Sequence, residues 1–327
     1  VESREGIGGD LNIVRDWVLD DLTLRALTQV GGSVLLDRVP LLDSLVGLET
    51  LETIGGGLTI AGAESLPTLE GMTALRSVEA IAILDADVLT SLDGLPAQTR
   101  LSFLRLQGAP ILDDLGAMST LEELGSNLTI DNCPAIRTLS DLSSLNRVGN
   151  SITLRATGLT NLSGLDGLTG RVRSMTIAKN DVLGSLSGLD GVEAVDEIIL
   201  DGNRVLLDLR GLPVNGTVFT IRIVENASLV DMRGLERMTR AGNVEIDGNP
   251  ALESLDGMNN LALVTNDLEI LGNPSLFDLD ALGTLGSVGR DLIVRDNPDL
   301  CMTDVDSFVG GLGSVGGTTT TSGNGGC

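Results

Sequence analysis

Apolar residues recur along this chain in pairs two positions apart, and the pairs themselves return every 23 or 24 residues. Leu11 and Ile13, Val34 and Leu36, Leu58 and Ile60, Leu128 and Ile130, Met175 and Ile177, Val244 and Ile246, and Leu292 and Val294 belong to one series of thirteen. Alternation of period two with one face always apolar is the pattern of a strand laid against a core. A repeat this short cannot bury its apolar face alone and must stack on its neighbours. The pattern therefore predicts an all-β parallel solenoid of about 13 coils of 23–24 residues, spanning residues 1–300.

A second apolar element follows each strand, as in Leu89-Thr90-Ser91-Leu92-Asp93-Gly94-Leu95 and Leu252-Glu253-Ser254-Leu255-Asp256-Gly257-Met258. The glycine two residues after its central leucine fits a corner where φ is positive or a side chain would clash. Helix is not expected inside a coil, because the apolar spacings are short and glycine interrupts them. A third marker lies five residues after the strand start: Asn180, Asn203, Asn226, Asn249, Asn273 and Asn297, with Cys133 in the same column. A buried asparagine stacked on the next can satisfy turn amides and carbonyls, so this column predicts a ladder. Val39, Ala63, Ala86, Ala109 and Thr157 replace it earlier in the chain, which predicts a less firmly fixed corner there.

The residues between and just after the inward pairs are mixed. Arg105, Arg222, Glu245 and Glu269 fall in one outward column and Asp131, Arg155, Asp201 and Asp247 in the next. Coils stacked about 4.8 Å apart would set Asp131 beside Arg155 and Arg222 beside Glu245 as cross-strand pairs, with Glu245 and Glu269 as neighbours of like sign.

The alternation of Gly55-Gly56-Gly57-Leu58-Thr59-Ile60 with Leu66-Pro67-Thr68-Leu69-Glu70-Gly71-Met72 resembles the receptor L-domain repeat, the leucine-rich parallel β-helix of growth-factor receptor ectodomains and of many secreted prokaryotic proteins. The resemblance covers about residues 7 to 300 and implies a right-handed parallel β-helix. It implies no chemistry, since that family is defined by its scaffold. Hormone binding is not carried over, because this chain has more coils and lacks the receptors' cysteine-rich modules. The tail, residues 301–327, is similar to the C-terminal caps of secreted members. Val305, Phe308, Val309 and Leu312 stand at helical spacing, and Thr318 to Thr321 read as a last strand. A Cys301–Cys327 bridge would staple that cap and place the protein outside the cell or at its surface; two free thiols in a cytosolic protein are the alternative.

Composition narrows the function classes. A net charge of −25 opposes nucleic acid as a partner, since phosphate binding needs clustered cations. Lys179 is the only lysine and the other cations are arginines, which fits either a salt-screened acidic surface or a genome that favours arginine. Apolar content is 42% but aromatics only 2%, so the core must be aliphatic. No apolar run approaches the ~18 residues of a membrane-spanning helix. Val1 to Gly9 is polar and does not read as a secretory leader, which leaves room for a processed N-terminus.

With no histidine, no tyrosine and one lysine, the usual bases are missing, and the chain is expected not to be an enzyme. The acid pairs Asp20 and Asp21, Asp85 and Asp87, and Asp113 and Asp114 read as solvated turn acids rather than a glycosidase pair. No calcium-loop motif recurs, so no metal or cofactor is expected beyond weak surface calcium. A threonine column at Thr129, Thr153 and Thr176 is interrupted by Arg105 and Ile199 and reads as β-propensity. Asn127, Asn161, Asn215 and Asn226 stand in Asn-x-Ser/Thr sequences. The expected function is non-enzymatic binding of a protein or glycan through the exposed sheet. The alternative is a structural subunit that assembles with copies of itself into a surface layer or filament.

Overall fold

The computed structural model describes residues 6–327; the part of the Val1 to Gly9 reading that falls on residues 1–5 lies outside the described residues. The chain is an all-β parallel solenoid of about 14 turns, with a small C-terminal helix. The described residues divide into two compact units, residues 6–159 with 163–168, and residues 160–162 with 169–327.

In the first unit the main strands are β1 (Leu11–Val14), β2 (Val34–Asp37), β3 (Gly57–Ala61), β4 (Ala80–Leu84), β5 (Leu104–Gln107), β6 (Asn127–Cys133) and β7 (Ser151–Thr157). Each pairs in parallel with the next, and the register joins equivalent residues: Leu11 to Val34, Val34 to Leu58, Leu58 to Ile81, Ile81 to Leu104, Leu104 to Leu128 and Leu128 to Ile152. The second unit holds β8 (Gly170–Ala178), β9 (Val192–Asp201), β10 (Gly216–Val224), β11 (Met238–Asp247), β12 (Leu268–Leu271), β13 (Leu292–Arg295), helix α1 (Met302–Gly311) and β14 (Thr319–Ser322). Its register runs Met175, Ile198, Ile221, Val244, Leu268, Leu292, Thr319. The strand starts read from the sequence thus meet as partners, and β14 adds a fourteenth turn to the thirteen expected. That turn escapes the apolar pattern because its inward positions, Thr319 and Thr321, are polar.

The mixture of 23 and 24 residues per coil has a local cause. From Val34 to Leu268 each main-strand start lies 20 residues before the next short strand's inward residue, as in Leu58 to Val78, Leu128 to Val148, Met175 to Val195 and Val244 to Val264. The first coil, Leu11 to Val30, takes 19 and the last, Leu292 to Val315, takes 23. The connection back to the main strand varies, with three steps in Val172 to Met175 and four in Ile54 to Leu58 or Val264 to Leu268. In the second unit the three-step connection lets both pieces fuse into the long strands β8 to β11. Four-step connections bend instead, and there the residue before the main strand bridges coils. Asp10 Oδ1 accepts the Ser33 N–H (2.8 Å), Ser33 Oγ that of Gly57 (3.2 Å), Asp267 Oδ1 that of Asp291 (3.0 Å) and Asp291 Oδ1 that of Thr318 (2.7 Å). A short polar side chain at the bend replaces the strand bond that the extra residue removes.

Two backbone columns shape the corners. The residue four after the strand start has positive φ in every turn, whether it is glycine (Gly62, +60°) or not (Arg38, +56°; Ala156, +48°; Glu225, +56°). The corner glycine behaves as expected: Gly71 has φ +111°, and a Cβ there would lie 2.2 Å from the Leu45 carbonyl oxygen of the preceding coil. Where that column holds Ala117, Asp141 or Ala281, the chain forms a single 3-10 turn, at Gly116–Met118, Ser140–Leu142 and Asp280–Leu282. The expectation of no helix inside a coil is corrected at these three places: a residue with a Cβ cannot take the glycine path, so the corner tightens through αR.

The core is aliphatic. Leu36, Leu45, Leu58, Leu69 and Ile130 in the first unit, and Leu186, Leu209, Ile246 and Leu268 in the second, are almost fully buried. Burying each such side chain contributes roughly 1.5–3 kcal/mol. Cys301 and Cys327 form a disulfide, α1 occupies most of the segment expected to be helical, and β14 falls on the expected last strand, one residue later.

Candidate functional site

Two arrangements carry polar chemistry: the buried column at the corner and the outward columns of the main strands. In the second unit the buried column is a continuous chain. The Asn203 N–H and Nδ2 both donate to Asn226 Oδ1 (3.1 Å each), and its Nδ2 also donates to the Ile177 carbonyl (2.9 Å). Asn226, Asn249, Asn273 and Asn297 repeat this, each offering its Nδ2 also to the carbonyl two residues before it, as from Asn249 to Asp247 O (3.1 Å). Asn180 begins the series by donating to Asn203 Oδ1. Asn297 continues it to Asn324, whose Oδ1 accepts from the Asn297 N–H (3.2 Å) and Nδ2 (3.1 Å). Asn324 was missing from the expected ladder, although it stands five residues after Thr319 as the others stand after their strand starts.

In the first unit Cys133 does the same work with sulfur. It is fully buried, it pairs in register with Thr157, its Sγ contacts the Asp131 carbonyl two residues back (3.5 Å), and the Ala109 backbone N–H bonds to it. Burial pushes its thiol up to about 11, so it is a neutral thiol filling an asparagine slot rather than a nucleophile.

On the outward face of the first unit Arg105 lies beside Thr129, and Asp131 beside Arg155. Arg105 turns to Gln107, its Nε 3.0 Å from Oε1. The Asp131–Arg155 pair is in register, but no ion pair closes between them, so the expected cross-strand bridge is corrected: the exposed Arg155 guanidinium stays in solvent. In the second unit Arg222 does grip Glu245, with Nε 2.6 Å from Oε2 and Nη2 2.9 Å from Oε1. Glu245 then meets Glu269, as its column predicts. Partial burial, and after it the Glu245 charge, raise both Asp247 and Glu269 above their ordinary carboxylate values. The hydrogen bond to Glu245 first, and after it the charges of Glu245, of Asp201 and of Asp247, which stands two coils from Asp201 in the same column, hold the Arg222 guanidinium more firmly protonated.

Asp20, Asp21, Asp85, Asp87, Asp113 and Asp114 are exposed, and Asp114 accepts the Gly116 N–H (2.7 Å) as a turn acid does. Among the described residues no three Asp, Glu, Cys or His side chains converge as metal ligands would. Of the Asn-x-Ser/Thr asparagines, Asn226 is locked in the ladder and Asn215 is exposed. Asn215 occupies a column that holds buried leucine at Leu51, Leu75 and Leu121; after Pro213, Val214 turns inward in its place. The displacement opens a groove of about 320 Å³ lined by residues that include Leu189, Val192, Arg210, Glu236 and Arg237. No helix among the described residues is long and apolar enough to cross a membrane.

These features define a parallel β-solenoid with a buried polar ladder and an exposed charged sheet. The chain matches no protein-family model and no curated protein.

Proposed function

We propose that this is a non-enzymatic repeat protein of the cell surface or extracellular space that binds a protein or glycan partner through its exposed parallel sheet. The likeness of its repeat to the receptor L-domain scaffold belongs to the same proposal. The observation that carries it is the openness of the outward columns. Arg105, Thr129, Thr153 and Arg155 in the first unit, and Ile199, Arg222, Glu245 and Glu269 in the second, remain exposed or half-buried while the alternate residues are sealed in the core. Rows of charged, hydroxyl and aliphatic groups at regular spacing suit an extended partner. A disulfide agrees with an oxidising location. The test is a glycan array together with cross-linking to surface extract, using the parent chain, Arg155→Glu and Arg222→Glu. Loss of bound partner by roughly tenfold or more supports the reading; undiminished capture by both variants refutes it.

A second reading, self-association into a layer or filament, draws on the exposed apolar groups after β1. Trp17 is 61% and Val18 80% exposed, and Trp17 borders a groove of about 390 Å³ with Arg38, Pro40, Gly62 and Glu64. Electron microscopy and light scattering of the parent and of Trp17→Ser, at low and high salt, decide it. Monomers under every condition would eliminate this second reading.

A further inference from the structure

The last turn of the second unit is built unlike the others. Its inward positions are Thr319, exposed, and Thr321, half-buried, where every other main strand of the unit has two sealed aliphatic side chains. After Val305 no residue of the chain is buried. What ties β14 to β13 is polar. The strand register runs from Leu292–Thr319 to Arg295–Ser322, Asp291 accepts from the Thr318 N–H and Oγ1 (2.7 and 2.9 Å), and Asn324 donates to the Val294 carbonyl (2.8 Å). The one covalent tie is the disulfide, with Cys327 exposed and Cys301 at the start of α1. Beneath this cover lie Leu292 and Val294, which are fully buried, and the hydrogen-bonding edge of β13.

We propose that the Cys301–Cys327 disulfide is a latch: its reduction by a thiol releases residues 312–327 and uncovers the β13 edge, whereas the oxidised form keeps that edge closed. Surface hydrogen bonds with no buried apolar side chain behind them open with little free energy, and a covalent closure prevents the opened tail from diffusing away. Cys327 is the more exposed residue of the pair and is taken as the point of attack. A reagent thiolate adds to Cys327 Sγ, the S–S bond breaks, and Cys301 leaves as a thiolate that takes up a proton. A second thiolate of the reagent then displaces Cys327 and forms the reagent's own disulfide, so two electrons pass to the protein. The uncovered β13 edge is then a free template for strand addition.

Hydrogen exchange read by mass spectrometry on the full chain, with and without dithiothreitol, tests the latch. Cys327→Ser serves as a second route to the open state that needs no reagent. The expected result is a loss of protection of roughly 100-fold or more in β14 and at the β13 edge, restored on reoxidation of the parent, with β9 to β11 unchanged. Protection of β14 that survives both reduction and Cys327→Ser would overturn the proposal, because the hydrogen bonds alone would then hold the cap. Loss spread through β9 to β11 would overturn it as well, since the bond would then staple the whole unit.

Discussion

The corner after the main strand is built in two ways. In the second unit Asn180 to Asn324 line it with side-chain hydrogen bonds; in the first, Val39, Ala63, Ala86 and Ala109 fill the same slot with nothing to donate or accept. Yet the backbone takes the same turn in both, with a left-handed residue just before the slot: Arg38 and Asp85 in one unit, Lys179 and Glu225 in the other. In the first unit the Ala86 N–H finds a backbone acceptor instead, Gly108 O at 3.0 Å. The path of the corner is therefore set by the left-handed residue and the apolar columns around it. The asparagines are an added layer, which fills the slot with amides whose every group is bonded.

If that is right, removing one rung damages the second unit far more than any matched change damages the first. Asn249 accepts from the Asn226 N–H and Nδ2 and donates to Ile223 O, Asp247 O and Asn273 Oδ1. Asn249→Ala strands several buried groups at once, at about 1–3 kcal/mol each with partial relaxation, so a loss of about 3–5 kcal/mol is expected. Ala63→Gly, in the same slot of the first unit, breaks no side-chain bond and costs about 1 kcal/mol. Native-state hydrogen exchange reads the two units separately. Equal losses in both would show that the asparagines carry no special share of stability.

Cys133 sharpens the comparison, because it is the first unit's closest approach to a rung. Cys133→Val removes the bonds to Ala109 and Asp131 and should cost about 1–2 kcal/mol. Cys133→Asn, two heavy atoms larger, supplies a donor and an acceptor where the Ala109 N–H and Asp131 carbonyl already wait. It should match the parent within about 1 kcal/mol. Urea midpoints of the three proteins give the order; an asparagine variant weaker than the valine one would mean that the first unit's corner cannot accept the ladder.

A smaller change tests the shared part. Ala156→Gly in the first unit and Glu225→Gly in the second relieve a left-handed residue of its Cβ at φ +48° and +56°. The relief is roughly 1–2 kcal/mol, less what glycine adds to unfolded-chain entropy, so each should raise stability by about 0.5–1 kcal/mol. Similar gains in both units, seen as similar rises in Tm, are what a common corner path requires.

Much of this was legible in advance. Strand starts, inward pairs, the six asparagines and the corner glycines depend on residue type, and residue type is what periodicity reports. The left-handed column was not, because Arg38, Asp85, Asn132, Ala156, Lys179 and Glu225 share a backbone angle and no chemistry. The fourteenth turn and its rung Asn324 were hidden by Thr319 and Thr321, polar where the pattern asks for aliphatic residues. The 3-10 turns follow from the absence of glycine at Ala117, Asp141 and Ala281, and an absence is a weak signal unless its column is already aligned. On the outward face, Arg222 and Glu245 closed their pair and Arg155 and Asp131 did not. Register sets neighbours; side-chain rotamers decide whether they meet.

The outward faces also differ, and pH distinguishes them by the smallest of these effects. Glu245 and Glu269 occupy in the second unit the outward position that Thr129 and Thr153 hold in the first. Partial burial, then Glu245, raises Glu269, and Asp247 is raised for the same first reasons. A carboxyl raised on folding binds its proton more tightly in the folded state, so the folded state carries more protons than the unfolded one between the ordinary and the raised values. Stability therefore falls as pH rises through that window and returns on acidification, the reverse of a salt-bridged acid. Glu269→Gln removes a like-charge neighbour and should gain a few tenths of a kcal/mol at pH 7, with the gain disappearing at a pH below the ordinary glutamate value. Thr153→Val, at an uncharged position of the same column in the first unit, should show no such pH dependence. Repeating the urea titrations in concentrated salt should shrink the glutamine gain, because screening already weakens the repulsion that the substitution removes. A gain that persists in salt and at low pH would mean that the charge on Glu269 is not what the second unit's face works against.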